Sequence, residues 1–177
     1  MTKAYTLPEI NEMSLDDFVQ SIGWVFEHSP WVAVRAYGSA PFASVEGLHR
    51  CMAGVVQRAS REEQLELLRA HPDLAGRLQM TDSSVREQQG AGLTELTAQE
   101  YAEFTACNTA YTRRFGFPFI LAVRGHNKQS ILSSMKERQG NGPEDELETA
   151  LREVARIARF RLLDTIEDTE REAGVPE

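Results

Sequence analysis

Three stretches of this chain combine residue types at spacings that could do chemistry. The first is His71-Pro72-Asp73-Leu74-Ala75-Gly76. A proline disfavours helical geometry at the residue before it, so a helix reaching His71 ends there and presents the imidazole from its C-terminus. The partial negative charge of that terminus favours imidazolium, which suits a group that carries a proton near neutral pH. A capping or core histidine is the plainer reading. The second stretch runs from Ser84 through Val85, Arg86, Glu87 and Gln88 to Gly92-Leu93. Ser84, Glu87 and Gln88 share one helical face, and a hydroxyl, a carboxylate, an amide and free N–H groups at a helix start could grip a small polar ligand. Its plainer reading is a capping box. The third, Phe115 to Gly125, is apolar enough to be buried, and Pro118 holds Phe117 extended. Buried extended backbone must place its N–H and C=O groups somewhere, on a ligand or on neighbouring helices.

No metal site is expected. His28, His49, His71 and His126 are scattered with no HExxH pattern, and Cys51 and Cys107 form no paired CxxC. Both cysteines read as reduced thiols on helices. With 19 basic against 27 acidic residues the net charge is -8, and no stretch gathers Lys and Arg, so nucleic acid is excluded as an expected partner. The most apolar run is far too short to span a bilayer, and the opening Met1-Thr2-Lys3-Ala4 lacks the pattern of a signal peptide. The last residues, Gly174-Val175-Pro176-Glu177, carry no peroxisomal address, so a cytoplasmic, bacterial protein is expected. At 177 residues, 41% hydrophobic and 26% charged, one soluble domain is the expectation.

The elements that must position these groups read as helices, because apolar residues recur at three and four while strand-like alternation is almost absent. A first helix is predicted from Ser14 to about Glu27, then a link from Trp31 to Pro41, then a helix from Ser44 that carries Leu48, Met52, Val55 and Val56 on one face. Ser60/Glu63, Ser84/Glu87 and Thr97/Glu100 have capping-box spacing and predict three more starts. The helix from Thr97 lines up Tyr101, Phe104, Tyr111 and Phe115 and stops at Gly116, a left-handed cap. A final helix opens at Pro143 and is predicted to run to about Gly174. On its wheel Arg161 falls among Val154, Ile157, Ala158 and Leu162, an apolar face where a guanidinium needs an anionic or carbonyl partner, either a ligand or an internal acid. The fold class is therefore all-α, a single-domain helical bundle with a long C-terminal helix.

Taken together, His71-Pro72-Asp73-Leu74-Ala75-Gly76, Ser84-x-x-Glu87-Gln88-x-x-Ala91-Gly92-Leu93 and Phe115-Gly116-Phe117-Pro118-Phe119-Ile120 resemble the 2-oxo-4-hydroxy-4-carboxy-5-ureidoimidazoline (OHCU) decarboxylases of the urate-to-allantoin pathway. The likeness also takes in Phe26-Glu27-His28-Ser29-Pro30-Trp31-Val32-Ala33, Arg35 and Pro41-Phe42. It implies an all-helical, usually homodimeric, cofactor-free enzyme in which His71 is catalytic. It also implies that Pro72, the stretch Ser84, Val85, Arg86, Glu87 and Gln88, and the backbone of Phe119, Ile120, Leu121, Ala122 and Val123 bind substrate. Arg161 joins them as a further candidate. His71 would act as acid/base, and Glu87 would orient it or bind the ureido group. The substrate explains the missing cofactor: its carboxylate sits beside a ring C=N that can accept the electron pair left by carbon dioxide. Two other classes fit the same residues less fully. A non-catalytic helical interaction module leaves His71-Pro72, the Ser84 stretch and Arg161 as coincidences, and a hydrolase of another ureido compound ordinarily wants a metal-activated water.

Overall fold

A computed structural model of the protein describes residues 3–75 and 82–168. Its elements run β1 (Tyr5–Thr6), α1 (Leu7–Glu12), α2 (Leu15–Ile22), a 3-10 turn (Gly23–Val25), α3 (Trp31–Tyr37), α4 (Val45–Arg58), α5 (Arg61–Arg69), α6 (Asp82–Gly90), α7 (Ala98–Phe115), α8 (Lys128–Arg138), α9 (Pro143–Thr165) and β2 (Ile166–Glu167). The all-α expectation holds, with two strands of two residues each as the only sheet among the described residues. The chain divides into two compact units, one of residues up to Leu67 together with those from Ala155 onward, the other Leu68–Val154.

In the first unit, α2 packs on α3 and α3 on α4. Ser14 caps α2 by accepting from the Asp17 N–H, and Ser44 caps α4 through Gly47, as expected from the sequence. Phe18, Ile22, Val32, Ala36, Leu48 and Met52 are fully buried between these helices. Each large side chain so buried contributes about 1.5–3 kcal/mol by leaving water. Phe18 meets the Tyr37 ring edge-on at 5.3 Å. The helix from Ser14 stops at Ile22, short of Glu27: the Gly23 N–H bonds Val19, the chain tightens into the 3-10 turn, and Trp24 Nε1 donates to the Ser21 carbonyl at 3.0 Å. The predicted link from Trp31 holds a helix, α3, started by Pro30 at φ -63° and anchored by Val32, Ala33 and Ala36 on one buried stripe.

Ser60 and Glu63 form the predicted capping box, and Glu63 also meets Arg35 at 2.5 Å. The Arg35 guanidinium, with the Ser60 backbone N–H, holds the Glu63 carboxyl down to about 2. A lowered folded-state pKa contributes stability above the unfolded value of 4.5 that is lost as pH falls through the folded one. The expected result is an acid limb between these two values that flattens in Glu63→Gln, measured by thermal melts across that range; the group is solvent-exposed, so the effect is small.

The C-terminal helix ends at Thr165 and does not continue to Gly174. Thr165 Oγ1 donates back to the Arg161 carbonyl at 2.7 Å, and Ile166, fully buried, pairs in parallel with Tyr5. Residues past Asp168, including Gly174, lie outside the described residues.

In the second unit α7 packs on α8. Thr97 and Glu100 make the predicted capping box, and Gly116 at φ +80° closes α7 in the left-handed conformation that a Cβ disfavours. Tyr111 is the centre of a ring cluster, with Phe115 at 4.7 Å, Phe119 at 5.2 Å and Phe117 at 6.0 Å. The predicted helix start at Ser84 is displaced. Helix α6 begins at Asp82, whose charge favours a first helical turn, so Ser84 sits inside the helix and is not its N-cap.

Candidate active site

Helix α5 ends at Arg69, and His71 follows it, its backbone N–H donating to the Leu68 carbonyl at 3.2 Å. His71 is 8% exposed, so it is largely withdrawn from water. Pro72 then turns the chain into Asp73-Leu74-Ala75, where Ala75 takes φ +61°. Two buried amides hold this loop. Gln88 Oε1 accepts from the Ala75 N–H and Asn108 Nδ2 donates to the Leu74 carbonyl, each at 2.8 Å. Burial pushes the Asp73 carboxyl up in the same loop. Gly76, the last residue of the histidine stretch, lies outside the described residues.

The structure therefore joins two of the three stretches singled out in the sequence. Ser84 and Gln88 are buried on α6, Glu87 is half-buried between them, and Val85 and Arg86 point outward. Arg69, at the end of α5, donates through Nε to the Gly116 carbonyl at 3.0 Å, tying the approach to His71 to the turn that opens the third stretch.

Within that third stretch, Phe117 to Val123 has no regular secondary structure and is buried throughout, while Gly116, Arg124 and Gly125 are exposed, against the expectation for the whole stretch: a glycine or an arginine there has little apolar surface to bury. Part of its backbone is satisfied by charged side chains. Arg138 Nη1 donates to the Ile120 carbonyl at 2.7 Å, and Glu153 Oε2 accepts from the Ala122 N–H at 2.9 Å. Arg138 is itself paired with Glu146 at 2.6 Å and lies over the Phe119 ring at 4.4 Å. Glu146, with no exposed surface, also accepts from Tyr111 and from Asn141. Burial, with the bond to Glu146, pushes the Tyr111 hydroxyl far up, so it stays a proton donor.

Comparison with known proteins matches residues 11–163 to the family model of OHCU decarboxylase. The chain belongs to the OHCU decarboxylase family. It is 46% identical over 159 residues to the 2-oxo-4-hydroxy-4-carboxy-5-ureidoimidazoline decarboxylase of Haloferax volcanii, covering 90% of this chain and 95% of that protein. It is 48% identical over 162 residues to the uric acid degradation bifunctional protein PucL of Bacillus subtilis, which takes in 92% of this chain and 33% of that protein; the chain thus spans one third of the bifunctional relative. Among solved structures it is similar to a crystal structure of (S)-allantoin synthase, with TM-score 0.72, 32% identity and coverage of 91% of this chain and 54% of that one. It is also similar to a crystal structure of OHCU decarboxylase in the presence of (S)-allantoin, with TM-score 0.64, 26% identity and coverage of 75% and 87%.

In this OHCU decarboxylase family member, Arg161, for which a ligand and an internal acid were both open as partners, meets an internal acid in its own unit. Arg161 is 4% exposed, and its Nη1 donates to Glu27 Oε2 at 2.7 Å. Two of the four histidines have other work: His49 Nε2 is 2.7 Å from the Ala155 carbonyl and His126 Nδ1 is 3.1 Å from Ser130 Oγ. Among the described residues no three His, Cys, Asp or Glu side chains gather as a metal would need. Asn108, Arg138, Glu146 and Glu153 did not emerge from sequence reasoning. Their signal was present: Asn108 falls on the Phe104–Tyr111 stripe of α7, and Glu146 and Glu153 flank Ala150 on the buried face of α9.

Proposed function

We propose that this chain decarboxylates OHCU to (S)-allantoin in urate degradation, as a carboxy-lyase that needs no cofactor. The observation that carries the reading is the buried His71 at the end of α5, its loop bonded to Gln88 of the neighbouring polar helix, in a chain of this family. The bond from the substrate's hydroxyl-bearing carbon to its carboxylate breaks, and its electron pair forms a double bond to the neighbouring ring carbon. The C=N pair of that carbon moves onto nitrogen, which takes up a proton. His71 then removes the hydroxyl proton as the enol becomes a carbonyl, and the neighbouring carbon gains a proton on one face. Carbon dioxide leaves and one proton is consumed overall.

Around that centre, Ser84 and Gln88 contribute polar contacts and Glu87 orients His71 or binds the ureido group. Gln88 has its Oε1 on Ala75, so a ligand contact from it is one that its amide N–H2 donates. Pro72, Val85, Arg86 and the Phe119–Val123 backbone complete the binding reading, and Arg161 is retained as an anion-binding candidate with Glu27 orienting it. Ile120 O and Ala122 N are already engaged, which directs substrate contact from this stretch to its other polar groups. The family match takes in parts of both compact units, which supports reading the chain as one catalytic domain.

The test is consumption of freshly generated OHCU with release of carbon dioxide. Wild type is expected to accelerate it with chelators making no difference, and Glu87→Gln to lower turnover or affinity at unchanged melting temperature. Unaccelerated decay with wild type contradicts the function, and full activity in Glu87→Gln contradicts the role of that carboxylate. The reading also carries a cytoplasmic homodimer. Sedimentation at micromolar concentration is expected to give twice the 19.9 kDa chain mass, and a single species at the chain mass removes the dimer.

A further inference from the structure

We propose that Asn108 is a positioning residue for His71, acting through the left-handed turn at Ala75. The inference rests on the functional reading above, in which His71 is the acid/base. Between His71 and the clamped Leu74 carbonyl the chain has little freedom. Pro72 fixes its own φ and restricts the residue before it, so Asp73 is the one ordinary joint between the imidazole and the clamp. Where Leu74 and Ala75 sit therefore decides where His71 points.

Ala75 does not favour its own conformation. At φ +61° its Cβ crowds the backbone, and a glycine would adopt the same geometry freely. The turn is held on both sides, the Leu74 carbonyl by Asn108 and the Ala75 N–H by Gln88. These two donors and acceptors come from different helices, α7 and α6, and the clamp spans the turn.

Asn108 is costly where it stands. It is 7% exposed, on the face of α7 that carries the buried Phe104 and Tyr111, and its Oδ1 accepts no hydrogen bond among the described residues. An apolar side chain would suit that face and avoid burying an amide. What the amide supplies and an apolar residue could not is the bond to Leu74. The helix bearing it is long and anchored through the Tyr111 ring cluster, so the bond is delivered from a rigid element.

The experiment compares wild type, Asn108→Leu and the double variant Asn108→Leu/Ala75→Gly. Asn108→Leu is expected to lower kcat by about ten- to hundredfold while KM changes by less than about threefold, since misplacing a reacting group affects the chemical step. Adding Ala75→Gly is expected to recover about fivefold or more, because glycine holds the left-handed turn without the clamp. A purely structural role for Asn108 gives no such recovery. Asn108→Asp, which keeps the shape and cannot donate to Leu74, serves in place of Asn108→Leu if the leucine variant does not fold. A second readout needs no activity: the His71 imidazole NMR signal, assigned by its loss in His71→Asn, should shift in Asn108→Leu and return in the double variant. Wild type without OHCU turnover rejects the functional reading, and the imidazole signal still decides the proposal. A kcat within about twofold of wild type, a loss untouched by Ala75→Gly, or an unmoved His71 signal overturns it.

Discussion

His71→Asn is expected to lower OHCU turnover by about 10²–10⁴-fold, the usual span for a lost general acid or base, with melting temperature nearly unchanged. Asparagine keeps a hydrogen-bonding side chain at the end of α5 but cannot titrate. The backbone bond from residue 71 to the Leu68 carbonyl, the Pro72 restriction and the clamp on Leu74 and Ala75 all survive the change. Loss of turnover then reports on the proton and not on the loop. Single-turnover and steady-state rates with circular dichroism melts check it. Activity retained within about threefold would move the chemistry away from His71, towards polar groups that act by positioning and charge alone.

The second large effect is on stability. Glu146→Ala removes the carboxylate paired with the buried Arg138 and the acceptor shared by the buried Tyr111 and the half-buried Asn141, all within the second unit. Breaking a buried pair from one side leaves a buried charge uncompensated and costs about 3–5 kcal/mol. At about 2–4 °C per kcal/mol for a chain of this size, the melting temperature falls by roughly 10 °C. Because Arg138 also holds the Ile120 carbonyl, the stretch proposed to bind substrate is expected to loosen at the same time, and KM to rise in whatever fraction remains folded. Glu146→Gln keeps an acceptor for Tyr111 and loses only the charge, so it should fall between wild type and alanine. Calorimetry of the three proteins decides it, and equal melting temperatures would show that the buried network contributes nothing.

How much of this was legible in the sequence follows from how local each signal is. Ser14, Ser44, Ser60 and Thr97 all cap helices where expected, because a cap is a bond between residues three apart and the pattern contains both partners. Ser84 shows the limit of the same rule. Asp82, Ser83 and Ser84 are all residue types that favour N-caps, so the hydroxyl-to-glutamate spacing marked a register that the helix does not use. Helix α3 is seven residues, too short for its stripe to stand out from a link. Nothing in either two-residue strand announces the pairing of Tyr5 with Ile166, since such pairing depends on chain segments far apart in sequence.

The candidate site divides the same way. His71, Ser84 and Gln88 sit in short, recognisable stretches, and the structure buries all three. Asn108, Arg138, Glu146 and Glu153 hold those stretches from distant helices, and their partners are backbone atoms or single side chains with no fixed spacing. A polar residue on an otherwise apolar helix face was the available sign. It was read for Arg161, which the structure pairs with the buried Glu27, and it would have led to Asn108 on α7 by the same argument.

The most direct test of the central claim is optical. OHCU generated freshly from urate through 5-hydroxyisourate decays on its own to racemic allantoin, which gives no circular dichroism signal. With this protein present, the expected result is fast loss of OHCU and growth of the dichroism of (S)-allantoin, abolished in His71→Asn. Slow decay to optically inactive product in the presence of the folded protein would contradict the account.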